Sequence, residues 1–154
     1  MLQRIQTLFL LISSVAMLLA STLPLARFHD GLVVFQAMGV YLNGELVDST
    51  WALMVIGAIT TIVALITIFL YKGRVLQIRL TILNTLFIVG FYIFAGLLFW
   101  GIMTSPQFAQ FESVNSVTMG IAAILPLVAI VMNIMAIRKI YADEALVRSL
   151  SRLR

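Results

Sequence analysis

Hydrolytic or metal chemistry in this chain would have to start from Ser21, His29 and Asp30, because His29 is its only histidine. A transition-metal site needs several His, Cys or carboxylate ligands at set spacings. Here one His stands beside one Asp, and the 154 residues contain no Cys. A catalytic triad is recognised by geometry, and no motif around Ser21, His29 and Asp30 implies it. Paired aspartates at membrane depth, a zinc motif and a glycine-rich phosphate loop are all missing. Without cysteine there are no disulfides, thiolate ligands or thiol nucleophiles. The expectation is a non-enzyme, with no cofactor and no metal.

Two carboxamides are the next candidates. Asn84 and Asn133 sit in long apolar runs that carry no central charge. Intramembrane charges are the usual pointer to ion transport or proton relay, so their lack argues against a proton-coupled transporter. At similar depth the two Asn side chains are expected to act as interhelical polar contacts, bonding across helices for about 1 kcal/mol. The competing reading is a small polar site. Ser13, Ser14, Thr60, Thr61 and Thr67 are expected to return their hydroxyl bonds to their own helices. Gly57, Gly90, Gly96, Gly101 and Gly120 are expected to let helices approach closely. Pro126 falls inside the fourth apolar run and predicts a kink there.

The third set of candidates closes the chain, in RKIYADEALVRSLSRLR (138–154). Ile140, Leu146, Val147, Leu150 and Leu153 recur at helical spacing and give one apolar stripe. Glu144 and Arg148 form an i,i+4 pair of favourable polarity. This amphipathic helix is expected to contact lipid or a partner through Arg148, Leu150, Arg152 and Arg154, each base near an anionic surface contributing about 1 kcal/mol.

The elements that must position these residues follow from composition. Hydrophobic residues make up 62% of the chain, charged residues 10%, and the mean hydropathy is +1.12. A soluble domain carries about 25% charged residues. Four apolar runs, at 5–23, 51–71, 80–103 and 117–137, are each long enough for a membrane-spanning helix of roughly 20 residues. Helix is the state that satisfies the backbone of such runs in lipid. The first run exceeds the 7–15 apolar residues of a signal peptide and is read as a retained helix. Arg4, Lys72, Arg74, Arg79, Arg138, Lys139 and the tail arginines lie on one side of the spans, and Arg27 alone on the other. The positive-inside rule places both termini in the cytoplasm. The net charge of +4 is therefore a topology signal, and no nucleic acid is expected.

The outer segment 25–50 has strand character. Leu32–Phe35 and Val40–Leu42 are β-branched and aromatic, and Asn43-Gly44 is a strong hairpin turn leading to Glu45-Leu46-Val47. A small periplasmic β-hairpin is expected, packed on the bundle through Val34, Phe35 and Met38, because an isolated hairpin is marginal in water. The inner loop is expected to run from Lys72 to Arg79. The fold class is thus an all-α membrane protein, a four-transmembrane-helix bundle with that hairpin and an amphipathic cytoplasmic C-terminal helix.

The opening MLQRIQTLFLLISS, with Gln3, Arg4 and Gln6, and the close DEALVRSLSRLR, with Asp143, Glu144, Leu146, Val147, Arg148, Ser149, Arg152, Leu153 and Arg154, resemble a family of four-span membrane proteins of Bacteroidota known as a domain of unknown function. The resemblance covers the whole chain and implies placement in the inner membrane of a Gram-negative cell. It implies no reaction. The role expected is that of a scaffold, assembly factor or accessory subunit of a membrane complex. The alternative is a small oligomeric transporter or channel built around Asn84, Asn133 and the Pro126 kink. The expected partners are the lipid bilayer, a protein engaged by the tail or the hairpin, and a second copy of the chain.

Overall fold

The first apolar run forms α1 (Leu2–Thr22) and stops ahead of Pro24, which cannot extend a helix. The computed structural model describes residues 2–28, 32–70, 73–105 and 117–151. Three further helices follow: α2 (Trp51–Phe69), α3 (Arg74–Thr104) and α4 (Leu125–Ser151). All four are long and apolar enough to cross a membrane. Between α1 and α2 lie β1 (Ala26–Phe28), β2 (Val33–Phe35), β3 (Gly39–Leu42) and β4 (Glu45–Ser49). Between α3 and α4 lies β5 (Val117–Met119), followed by a 3-10 turn at Ile121–Ala123.

The strands make one antiparallel sheet in the order β4-β3-β2-β1-β5. The expected hairpin is its β3–β4 end. Asn43 (φ 52°) and Gly44 (φ 88°) both have positive φ, as the type I′ turn requires. The sheet is larger than that hairpin because three more pairings, β2 with β3, β1 with β2 and β1 with β5, extend it across both connecting segments. Its helix-facing side is built by Ala26, Phe28, Val33, Phe35 and Val40, which join Met17, Leu53 and Phe91 in one apolar core. Phe28 stacks on Phe99, ring centroids 5.5 Å apart. Of the three side chains expected to anchor the hairpin, Phe35 does so. Met38 is exposed and Val34 half-buried, because the pleat turns Val33 and Phe35 inward together.

Two boundaries differ from the sequence reading. α3 begins at Arg74, so most of the expected loop 72–79 is helix, and 31 residues give α3 a length of about 46 Å. Val117–Met119 is strand, so the fourth helix starts at Leu125. Pro126 consequently stands in the first turn of α4, where no intrahelical N–H is needed, and it does not kink mid-helix. The tail continues α4 without a break to Ser151.

The helices close a ring, with α1 against α2 and α4, and α3 against α2 and α4. Fully buried positions recur at alternating three- and four-residue steps: Gln6, Leu10, Ser13, Met17 and Ala20 on α1; Leu53, Gly57, Thr60, Ala64 and Thr67 on α2; Gln77, Thr81, Asn84, Ile88 and Phe91 on α3; Ala129, Asn133, Ala136 and Ile140 on α4. This is the 3.5-residue seam of a left-handed coiled-coil bundle. At Gly57 the seam is tightest: a Cβ there would collide with the Ser21 hydroxyl. A Cβ at Gly90, Gly96 or Gly101 would meet no atom of a neighbouring element within 4 Å among the described residues, so close helix approach does not depend on these three glycines.

Candidate functional site

The interior divides into two halves. Toward the sheet the seam is apolar, with Met17, Leu53, Ile88, Phe91 and Ala129. Toward the opposite end every helix contributes buried polar groups: Gln6, Thr67, Thr81, Asn84 and Asn133 among them. None of these buried side chains is ionisable.

The register of this polar half follows from three contacts. At the end away from the sheet the Arg74 guanidinium pairs with the Asp143 carboxylate (3.2 Å) and also donates to its backbone carbonyl (3.3 Å). Ser13 donates to the Ala129 carbonyl at 3.3 Å, and Ser14 to the Thr61 carbonyl at 3.5 Å. Counting along antiparallel neighbours from these contacts stacks the seam in layers. Asn84 lies ten residues after Arg74, and Asn133 ten before Asp143, so both stand about 15 Å from the ion pair. They share a layer with Leu10 and Ala64. The next layer away from the sheet holds Gln6, Thr67, Thr81 and Ala136. The next layer toward it holds Ser13, Thr60, Ile88 and Ala129.

The hydroxyls in these layers are satisfied. Thr60 and Thr61 both donate to the Gly57 carbonyl (2.7 and 2.9 Å), Thr67 to that of Val63 (2.6 Å) and Thr81 to that of Gln77 (2.7 Å). Those three α2 threonines do return their bonds to their own helix. Ser13 and Ser14, expected to do the same, reach across to α4 and α2 instead, because α1 packs closely against both. The carboxamides differ. Nδ2 and Oδ1 of Asn84 and of Asn133, and Nε2 of Gln6, are buried without a hydrogen-bond partner among the described residues. The expected interhelical bond from either Asn is therefore not made. A buried polar group left unpaired costs about 1–3 kcal/mol, so five such atoms weigh heavily against a typical stability of roughly 5–15 kcal/mol.

The other sequence candidates lie at the two ends. His29 and Asp30 are outside the described residues, and Ser21 donates to the Met17 carbonyl at 2.8 Å. Among the described residues no three His, Cys, Asp or Glu come together. Arg148 and Leu150 belong to α4, with side chains outside the described set, so the Glu144–Arg148 pair lies outside it too; Arg152 and Arg154 also lie outside the described residues. At the sheet end, all five residues of edge strand β4 are exposed. An apolar cleft of about 190 Å³ lies beneath the sheet, lined by Phe35, Phe91, Gly96, Phe99 and Pro126.

Sequence reasoning missed Gln6, Thr81 and Arg74 as members of one structure. A signal was present: Gln77, Thr81, Asn84, Ile88 and Phe91 follow the seam spacing, so polar and apolar residues share one face of α3. Arg74 was missed because reading 72–79 as a loop removed the helix that carries it to Asp143.

A family model described as a domain of unknown function (DUF4293) matches residues 2–153, nearly the whole chain. The chain belongs to this family. No curated protein and no solved structure matches it. The DUF4293 match spans all four helices and the sheet, so the two polar ends and the divided interior all fall within the family's own unit.

Proposed function

We propose that this DUF4293 chain is a multi-pass protein of the bacterial inner membrane. Its sheet faces the periplasm, both termini are cytoplasmic, and it serves as a non-enzymatic scaffold, assembly factor or accessory subunit of a membrane complex. The observation that carries this reading is the distribution of its exposed surface. All four helices expose large apolar side chains along their length, such as Leu8, Leu18, Ile62, Leu86, Ile93, Leu97 and Val131. Such a surface suits lipid and offers few directional contacts. Specific recognition then falls to the two ends. β4 is an edge strand with unpaired backbone groups on one side, and its Leu46 and Val47 are exposed, a surface open to strand addition by a partner. At the other end α4 runs to Ser151, and the arginines Arg148, Arg152 and Arg154 of the closing sequence are proposed to meet lipid headgroups or a cytoplasmic partner.

The test is affinity purification from native membranes in mild detergent. A defined partner should accompany the intact chain and be lost from the Leu46→Lys/Val47→Lys variant or from a chain truncated after Ala145. Recovery of the chain alone, or of the same companions from all three forms, would sink this reading.

The polar half of the interior favours a second reading, a small oligomeric transporter or channel for uncharged solutes. Against it stand Met17, Leu53, Ile88 and Phe91, which close the sheet-side half of the bundle. Solute flux in proteoliposomes distinguishes the two readings, since a scaffold adds none above empty vesicles.

A further inference from the structure

The unpaired carboxamides of the polar half share a common need. Asn84 and Asn133 occupy the same layer, each presenting two N–H donors and an acceptor oxygen, and Gln6 adds donors one turn further from the sheet. All three stand at seam positions, which face neighbouring helices rather than the outer surface of the bundle. Helical carbonyls around them already accept backbone bonds, and the threonine hydroxyls are committed to Gly57, Val63 and Gln77. The small residues Ala64 and Ala136 share these two layers with the amides. In the next layer toward the sheet the Ser13 and Thr60 hydroxyls are committed to the Ala129 and Gly57 carbonyls beside apolar Ile88, and beyond it Met17, Leu53 and Phe91 close the seam with apolar, wholly buried side chains.

We propose that Asn84, Asn133 and Gln6 form an internal binding site for a small uncharged molecule that both donates and accepts hydrogen bonds, water being its smallest member. The donor and acceptor requirement comes from the mixed set of unpaired atoms. Neutrality comes from the buried shell, which contains Gln, Asn, Ser and Thr but no ionisable side chain to balance a charge. Buried water commonly takes about three bonds from such otherwise unsatisfied groups. The site is one-ended, because the apolar layers bar the route toward the sheet. It does not depend on the scaffold reading.

The experiment uses the full chain in detergent micelles, labelled with nitrogen-15 at asparagine. The sequence has four asparagines, Asn43, Asn84, Asn115 and Asn133, so four side-chain amides are observed. Asn84→Ser and Asn133→Ser assign the two buried ones. If either variant fails to fold, protection from a water-soluble paramagnetic reagent separates them from Asn43. The expected result is a cross-peak to water on both buried amides. Titration with acetamide then reads the ligand range. A saturable shift of both amides extends the site to larger neutral solutes, and an unchanged spectrum with the water cross-peaks in place restricts it to water. A direct contact between the Asn84 and Asn133 amides, with neither a water cross-peak nor an acetamide shift, overturns the proposal. So does the absence of all three signals.

Discussion

Gly57 shows how one residue sets the distance between two helices. Its missing side chain leaves room for the Ser21 hydroxyl, which in turn donates to its own helix at Met17, and the Phe91 ring lies within 3.4 Å of where a Cβ would stand. Adding volume to a packed interface forces side chains off their rotamers at a cost of about 1–3 kcal/mol. Gly57→Val should therefore lower stability by roughly 2 kcal/mol in thermal melts of the detergent-solubilised protein. Gly90→Val, on an open face of the next helix, should melt within about 0.5 kcal/mol of the parent. Equal effects at both positions would mean that α1 and α2 do not meet at Gly57. The buried amides of Asn84 and Asn133 pose the opposite problem at the same scale: their volume is accommodated, but their hydrogen-bonding capacity is not.

At the scale of elements, the start of α4 decides what Pro126 does. A proline inside a helix removes a backbone bond and costs about 3 kcal/mol or more, whereas in the first turn it removes nothing. Strand β5 and the 3-10 turn take up the residues ahead of Leu125, and Gly120 donates to the Leu25 carbonyl at 2.9 Å, pinning β5 to the segment after α1. Pro126→Ala should change stability by no more than roughly 1 kcal/mol, while Val131→Pro, a turn and a half further on, should cost about 3 kcal/mol or prevent accumulation. A large loss from Pro126→Ala would indicate that the helix begins earlier than Leu125. The sheet shows the same dependence on neighbours. β1 has three residues and gains its place only by pairing on both sides, with β2 and β5.

For the whole molecule, the alternation of four helices sends the sheet to one end and the Arg74–Asp143 pair to the other. On the proposed orientation, reporter fusions placed after Lys72 and after Arg154 should be active only in the cytoplasm, and one placed after Thr50 only in the periplasm. A periplasmic signal from the Arg154 fusion would reverse the reading of which end meets which solvent. Thr50 ties the two sections together at the sheet end. Its hydroxyl lies 3.1 Å from the carbonyls of both Gln36 and Ala37, and its backbone N–H donates to Met38, so α2 starts where the β2–β3 turn ends.

Sequence alone determined the four long apolar helices found among the described residues, their apolar surfaces, the Asn43-Gly44 turn and the candidate status of Asn84 and Asn133. Those features depend on the length of apolar runs, on local backbone preference and on residue type, all of which can be read within a short window. The seam at three- and four-residue steps was also present in the sequence. It was obscured because the helix surfaces are nearly as apolar as the interior, so hydrophobicity does not distinguish the inward face. Only the tertiary structure decided that β5 joins a sheet begun at Ala26, that Pro126 stands in the first turn of α4 and does not kink it, and that Arg74 reaches Asp143. It also placed the two asparagines in one layer without bonding them. Each of these depends on pairing between distant segments, and the chain's own order carries no local mark of which partners will meet.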